Sequence, residues 1–177
     1  MNSKKSTLVF ALGLLLIIAT QIYAQRKIVA FVKPLQAIGV PESFANRATQ
    51  QLRSALSQTG RFGLINEDAW RNVIQTQGLI VKNIAFFDEN QDKKIAKLVN
   101  ADVILYGKLE QEGNTINLSL DYYNVAKGYN DHTFSEQLIT AEDLDAVIEK
   151  IISQIMSNIV PKGEILSING KVVRIEI

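Results

Sequence analysis

The sequence predicts an α/β (α+β) fold: a three-layer-like mixed sheet of about five strands with helices packed on it, followed by a C-terminal β-hairpin. Three observations predict it. In the first half, short β-branched runs alternate with amphipathic helical patterns, as in βα units. In the second half, apolar and polar residues alternate between glycine-containing turns, as in an antiparallel meander. A last alternating segment carries an Asn-Gly pair, which is a strong local signal for a hairpin.

The first 24 residues have the order of a secretory signal peptide. Lys4 and Lys5 supply positive charge, an apolar run extends from Leu8 to Ala19, and Ala24 is a small residue at a cleavage position. The run of 12 residues is shorter than the ~20 that a membrane-spanning helix needs. We therefore expect a cleaved signal peptide, and an uncleaved anchor is the alternative.

Composition narrows the class of protein. The chain has 19 Lys and Arg against 18 Asp and Glu without a block of like charge, so we expect no nucleic-acid partner. It has no cysteine, so the core must stabilise the fold without disulfides and no lipid can be attached through a thiol. The expectation is an exported, soluble periplasmic protein that is not a lipoprotein and has no stable membrane insertion after signal cleavage.

The first half of the mature chain contains two predicted strands, Lys27–Val32 and Phe62–Ile65. Pro41 begins the helix between them, and Gly60 ends it as a residue that adopts a left-handed conformation without strain. Asn66 is a predicted cap for the next, shorter helix. These residues place two βα units in succession.

A further helix and three strands follow. Asp88 with Gln91 resembles a capping box at the start of the helix, and Asn100 is its predicted left-handed stop. The three strands are predicted at Val103–Leu109, Ile116–Tyr122 and His132–Ile139.

The last helix and the hairpin complete the predicted elements. Thr140 with Asp143 begins an amphipathic helix that Pro161 stops. Residues 25–161 are thus one α/β domain, and 162–177 form a hairpin around the type I′ turn Asn169-Gly170. Since an isolated hairpin is marginally stable, it docks on the domain, pairs with another chain, or begins a further β module.

The sequence offers little for catalysis. It has one histidine, no glycine-rich phosphate loop and no Gly-x-Ser-x-Gly elbow. His132 is interpreted as a surface strand residue. Asp88, Glu89 and Asp92 are a conceivable metal site, but Asp88 is better explained as a helix cap. We predict no catalytic residue, no cofactor and no metal.

Two segments are candidates for partner binding. Tyr123 and Tyr129 flank the turn of a predicted hairpin, and aromatic residues are enriched at protein interfaces. Ile84 and Phe86 belong to an apolar connection, Leu79–Phe87, that is either a buried edge strand or a contact loop. The alternative for the tyrosines is that only one of them is exposed.

Three segments occur in an order shared with known families. Leu52 to Ile74 (LRSALSQTGRFGLINEDAWRNVI) is a helix–strand–helix pattern with a Thr-Gly-Arg-Phe turn, and Lys93 to Leu109 (KKIAKLVNADVILYGKL) is a helix followed by Ala-Asp-strand-Gly. Tyr122 to Gln137 (YYNVAKGYNDHTFSEQ) is similar to an Asp-x-x-x-Gly hairpin, with Asn124 where an acid is usual. Together they resemble the CsgG-like and TolB amino-terminal-domain-like families of bacterial envelope proteins. LpoB-type activators and FlgT-type periplasmic flagellar-ring proteins are relatives, and the C-terminal hairpin is similar to the start of a β module in the FlgT type.

The resemblance implies a non-enzymatic protein-interaction domain in the periplasm, a component or accessory of an envelope assembly in secretion, the flagellar ring or cell-wall machinery. Its partners would be other envelope proteins or, in a homo-oligomer, a second copy of the chain. Because the chain lacks the N-terminal cysteine of lipid-anchored relatives and the length for the curli channel's hairpins, a soluble adaptor is expected. One alternative is a periplasmic ligand- or peptide-binding sensor with a largely apolar cavity. Another is a hydrolase with a deep pocket of carboxylates.

Overall fold

The computed structural model describes residues 26–79 and 84–159 in full and the backbone of Glu164–Ile168 and Lys171–Arg174. The predicted signal peptide and the turn Asn169-Gly170 lie outside the described residues. Within the part that is described, none of the helices has the length and apolar character required to cross a membrane.

Six strands form one mixed sheet in the described domain. They are β1 (Ile28–Val32), β2 (Gln36–Ile38), β3 (Phe62–Leu64), β4 (Val103–Glu112), β5 (Thr115–Asn124) and β6 (Tyr129–Leu138). The sheet order is β3-β1-β4-β5-β6, and β2 also pairs with β4. The class of fold and the mixed sheet predicted from the sequence are confirmed, with one strand more than expected.

The additional strand, β2, continues the edge of β4 that β1 occupies. β1 pairs with the start of β4 in parallel through Ala30 and Val103, and β2 pairs further along through Gln36 and Lys108. Pro34 lies between the two short strands and cannot donate a backbone hydrogen bond to a ladder. β4, β5 and β6 are antiparallel, as the meander pattern predicted.

Four α-helices surround the sheet in the part of the chain that the structure describes. They are α1 (Glu42–Gln58), α2 (Glu67–Thr76), α3 (Glu89–Leu98) and α4 (Leu144–Ile159), with a 3-10 turn at Ala141–Asp143 before α4. The predicted caps at Asn66 and Asp88 are confirmed, because each side chain accepts a backbone N–H of the following turn. Asn100 has φ 53°, the left-handed conformation expected where α3 ends.

The helices pack on opposite faces of the sheet. Ala30, Val32 and Leu105 belong to a core beneath α1 and α4, whereas their neighbours Phe31 and Ile104 belong to a second core beneath α2 and α3. This alternation follows from the two-residue period of a strand. The result is the predicted three-layer arrangement.

β7 (Glu164–Ile168) and β8 (Lys171–Arg174) form a separate antiparallel pair. Ile165 lies opposite Val173 in the register. The predicted hairpin is therefore present as backbone pairing. The domain boundaries assigned from the sequence remain predictions.

Candidate partner-binding surface

A buried ion pair lies between β1 and α3. Lys33, directly after β1, and Asp92, on α3, are only 1% and 2% exposed. The Nζ atom of Lys33 donates to Oδ2 of Asp92 at 2.5 Å. Burial lowers the pKa of Lys33 and raises the pKa of Asp92, because desolvation disfavours both charged forms, and the hydrogen bond between them opposes both shifts.

The ion pair fixes the backbone of the loop before α3. Lys33 Nζ donates a second hydrogen bond, to the carbonyl of Phe86 at 2.6 Å, and the N–H of Asp88 donates to Oδ2 of Asp92 at 2.8 Å. Gln36 Nε2 on β2 donates to the carbonyl of Ala85 at 3.3 Å. A loop of this kind is normally solvated, but here its polar backbone atoms have fixed partners in the protein.

The two consecutive phenylalanines of this loop have opposite environments. Phe87 turns inward, with its ring stacked on Tyr106 at 4.0 Å between centroids and 5.0 Å from Tyr123. Phe86 turns outward and is 58% exposed. The inward ring holds the loop against the sheet, so the outward ring is presented from a fixed backbone.

Phe86 borders a groove of about 470 Å³ between the loop and β2. Ile84 and Ile38 line the same groove, and Ile38 is 39% exposed. Glu67 and Arg71, which form an ion pair on α2, lie on its polar side. Apolar side chains rimmed by charges are characteristic of protein contact surfaces. We define Ile38, Ile84 and Phe86 as the groove surface.

The structure places the two predicted tyrosines differently. Tyr123 is only 2% exposed, and its hydroxyl donates to Oε1 of Glu89 at 3.3 Å. Tyr129 is 54% exposed beside the ammonium group of Lys127. Of these two tyrosines, only Tyr129 is exposed in the free chain, which agrees with the alternative that the sequence left open. Tyr123 supports Phe87 from below, and neither tyrosine lines the groove. Their partner contacts remain predictions.

The carboxylates considered for a metal site are engaged with different donors. Asp88 Oδ1 accepts the N–H of Gln91, Asp92 accepts Lys33, and Glu89 accepts Tyr123. No group of three or more potential metal ligands occurs among the described residues. His132 lies between the rings of Tyr122 and Phe134, at 6.4 and 5.9 Å between centroids.

Sequence reasoning missed Lys33 and Ile38. A lysine after a strand is ordinarily exposed, and only the non-local position of Asp92, 59 residues away, makes its burial possible. Ile38 belongs to a three-residue strand whose partner lies on β4. The apolar character of Leu79–Phe87 was a useful signal, although residues 80–83 lie outside the described part.

Part of the sequence is similar to a known protein family. The sequence model of a family described as peptidoglycan-synthase activator LpoB matches residues 44–125, which is less than half of the 177 residues. This chain resembles LpoB. The matched stretch extends from α1 to the end of β5 and contains Ile84, Phe86 and Tyr123. No curated protein sequence matches the chain significantly.

Solved structures show the same fold. The LpoB C-terminal domain from Escherichia coli has a TM-score of 0.55 at 21% identity, over 62% of this chain and 81% of that one. The corresponding domain from Salmonella enterica has a TM-score of 0.56 at 20% identity, over 70% and 93%. The lipoprotein GNA1162 from Neisseria meningitidis has 0.54 at 12% identity, over 75% and 99%. These comparisons support the LpoB-type relative and give no support to the CsgG-like and FlgT-type labels.

Proposed function

We propose that this chain is a non-enzymatic protein of the cell envelope that binds a peptidoglycan synthase and raises its activity. The observation that carries the proposal is the match of residues 44–125 to a family of peptidoglycan-synthase activators. The shared fold with the LpoB C-terminal domains supports it. A role as an activator is also in line with the expectation that the chain is not itself an enzyme.

The groove surface is the proposed contact with the synthase. Phe86 is an exposed aromatic ring on a fixed loop, and aromatic anchors contribute a large share of binding energy at protein interfaces. Ile38 and Ile84 extend the apolar area beside it. Tyr129 is proposed as a second, separate contact because it is also exposed.

Export to the periplasm is part of the proposal, since a peptidoglycan synthase acts on the cell wall. The basic and apolar N-terminal segment supports export.

The proposed function is tested by adding the purified chain to a peptidoglycan synthase of the host bacterium and measuring glycan-strand synthesis. We expect faster synthesis and co-purification of the two proteins. An unchanged rate together with no detectable complex would reject the activator role.

The contact is tested with Phe86→Ala, and Leu98→Ala is the matched control because Leu98 is 48% exposed but lies outside the groove. Truncating an anchor residue typically costs about 2 kcal/mol or more, which weakens the complex roughly thirtyfold. Equal affinity of the two variants would leave the activator role standing but would place the contact elsewhere.

A further inference from the structure

A second concave site lies at the end of the sheet where β4 begins. This cavity has a volume of about 870 Å³, which is in the range of small-molecule sites. The start of β1, the C-terminal ends of α3 and α4, and the turn after β5 all contribute to its lining. None of the groove surface residues lines it.

More cationic than acidic side chains line the cavity. Two carboxylates line it, and each already has a cationic partner: Asp102 pairs with Arg26 at 3.1 Å, and Asp131 with Lys127 at 2.9 Å. Three further cations line the same cavity: Arg61, Lys93 and Lys97. None of the three forms an ion pair with a described residue. The lining thus has a net charge of +3, whereas the whole chain has only +1.

Helix stability does not explain this arrangement. Lys93 and Lys97 are one turn apart on α3, and like charges at this spacing destabilise a helix. Lys97 lies in the last turn, where it interacts favourably with the helix dipole, but Lys93 lies in the middle of the helix.

The turn after β5 is shaped to admit the ammonium group of Lys93. A Cβ atom on Gly128 would lie 2.6 Å from Lys93 Nζ, and Gly128 has φ 79°. Glycine therefore serves both the left-handed backbone and the space for the cation. The ammonium group of Lys93 thus lies close to this turn, in which the N–H of Gly128 donates to the carbonyl of Asn124 at 2.8 Å.

The remaining walls are partly apolar. Ile28, Val103 and Val125 line the cavity together with Tyr122 and His132. The site therefore combines cationic groups that can bind an anionic group of a ligand with apolar surface that can contact a less polar part of the same ligand. Arginine and lysine together suit the multiple acceptor oxygens and high charge of a phosphate group.

We propose that this cavity binds a ligand that carries a phosphate group, either a small phosphorylated molecule or the headgroup of a phospholipid. The proposal is independent of synthase activation. It rests on the three cations that form no ion pair with a described residue, the room beside Gly128 and the apolar walls.

The test compares two variants of the full chain with equal net charge. Lys93→Gln with Lys97→Gln removes two cations from the cavity, and Lys27→Gln with Lys94→Gln removes two cations that do not line it. Each is titrated with inorganic pyrophosphate, with phosphatidylglycerol vesicles and with phosphatidylcholine vesicles, and the dissociation constants are measured. Folding of both variants is checked by their thermal unfolding.

We expect the cavity variant to bind pyrophosphate or phosphatidylglycerol vesicles about tenfold more weakly than the control variant, since one charge-assisted hydrogen bond accounts for roughly that factor. Loss for pyrophosphate alone would identify a small phosphorylated ligand, and loss for the vesicles alone a phospholipid headgroup. The N-terminal apolar run could itself bind lipid, but both variants share it. Equal affinities of the two folded variants for pyrophosphate and for phosphatidylglycerol vesicles, or no binding of either probe, would overturn the proposal.

Discussion

Lys33 and Asp92 are the only acidic or basic side chains that are buried among the described residues. Removing a charge from water costs several kcal/mol, and the pair recovers this only through close geometry and additional hydrogen bonds. Here the additional bonds go to backbone atoms of the loop at Phe86 and Asp88. The pair therefore acts on the position of the loop as well as on the stability of the core.

Replacing Lys33 by Met should destabilise the fold by about 3–5 kcal/mol, because it leaves the carboxylate of Asp92 buried without its cation, with the N–H of Asp88 still donating to it. The double variant Lys33→Met with Asp92→Leu should lose much less. Urea unfolding of the wild type, both single variants and the double variant measures the coupling. Additive losses would show that the two side chains do not act as a pair.

The exposed pair Glu67–Arg71 is the control for this cycle. Arg71→Met, which breaks this pair, should lower the free energy of unfolding by under about 1 kcal/mol, because water solvates both charges and screens their attraction. A loss of stability as large as that caused by Lys33→Met would mean that burial does not determine how much an ion pair contributes to stability.

Two strand glycines offer a second comparison between single residues. A Cβ atom on Gly107 of β4 would lie 2.0 Å from the carbonyl oxygen of Ser119, whereas one on Gly63 of β3 would meet nothing closer than 3.9 Å. Gly107→Ala must displace backbone and should cost roughly 1–3 kcal/mol. Gly63→Ala should be nearly neutral, and thermal unfolding of the two variants checks the difference. Similar melting temperatures would contradict it.

At the scale of elements, the start of α4 shows how local sequence fixes a boundary. The N–H of Thr140 donates to Oδ2 of Asp143 at 2.8 Å, and its hydroxyl donates to the same atom at 3.1 Å. The backbone hydrogen bond from Thr140 lowers the pKa of Asp143 below its usual 3.8. The predicted cap is confirmed, and its strength depends on the ionised carboxylate.

This cap predicts a pH-dependent effect. Because the pKa of Asp143 is depressed on folding, its stabilising contribution is complete above pH 3.8 and is lost as the pH falls through the folded-state pKa. Asp143→Asn should therefore lower the melting temperature most at neutral pH, and the difference from the wild type should shrink towards pH 3. Thermal unfolding at several pH values measures this.

Glu142→Gln is the matched control for the cap, because Glu142 lies in the same turn and forms none of the hydrogen bonds described for Asp143. Its effect at neutral pH should be smaller than that of Asp143→Asn. A difference between Asp143→Asn and the wild type that stays constant from neutral pH to pH 3 would contradict the role of the carboxylate.

At the scale of the whole molecule, the three layers cover the sheet unevenly. β1 and β4 have a core on both faces, since Phe31 and Ile104 pack towards α2 and α3 while Val32 and Leu105 pack towards α1 and α4. On β6, by contrast, alternate polar residues are exposed on the face opposite α4, for example Ser135.

This difference predicts a gradient of local stability. Amides in the centre of β1 and β4 should exchange with solvent most slowly, and amides along β6 faster, because opening an edge strand exposes less apolar surface. Hydrogen exchange followed by mass spectrometry or NMR measures the rates. Equal protection of β4 and β6 would show that the covered second face adds nothing to local stability.

The sequence predicted the elements well because their signals are local. The caps at Asn66 and Asp88 and the stop at Asn100 depend on residues within one turn. Ile38 and Phe86 were harder. The strand of Ile38 is too short to show a period, and neither Phe86 nor Phe87 carries a local signal for which ring turns inward. The groove and the cationic cavity join segments far apart in sequence, so neither could be predicted.

One consequence of the clamped loop concerns the thermodynamics of association. An interface that must first order a mobile segment loses affinity, roughly 0.5–1.5 kcal/mol for each side chain that becomes immobilised. The carbonyls of Ala85 and Phe86 already have partners in the free chain, so the backbone of this segment is ordered before any encounter. Preorganisation of the backbone that carries Phe86 thus derives in part from Lys33, a lysine too deeply enclosed to touch whatever binds.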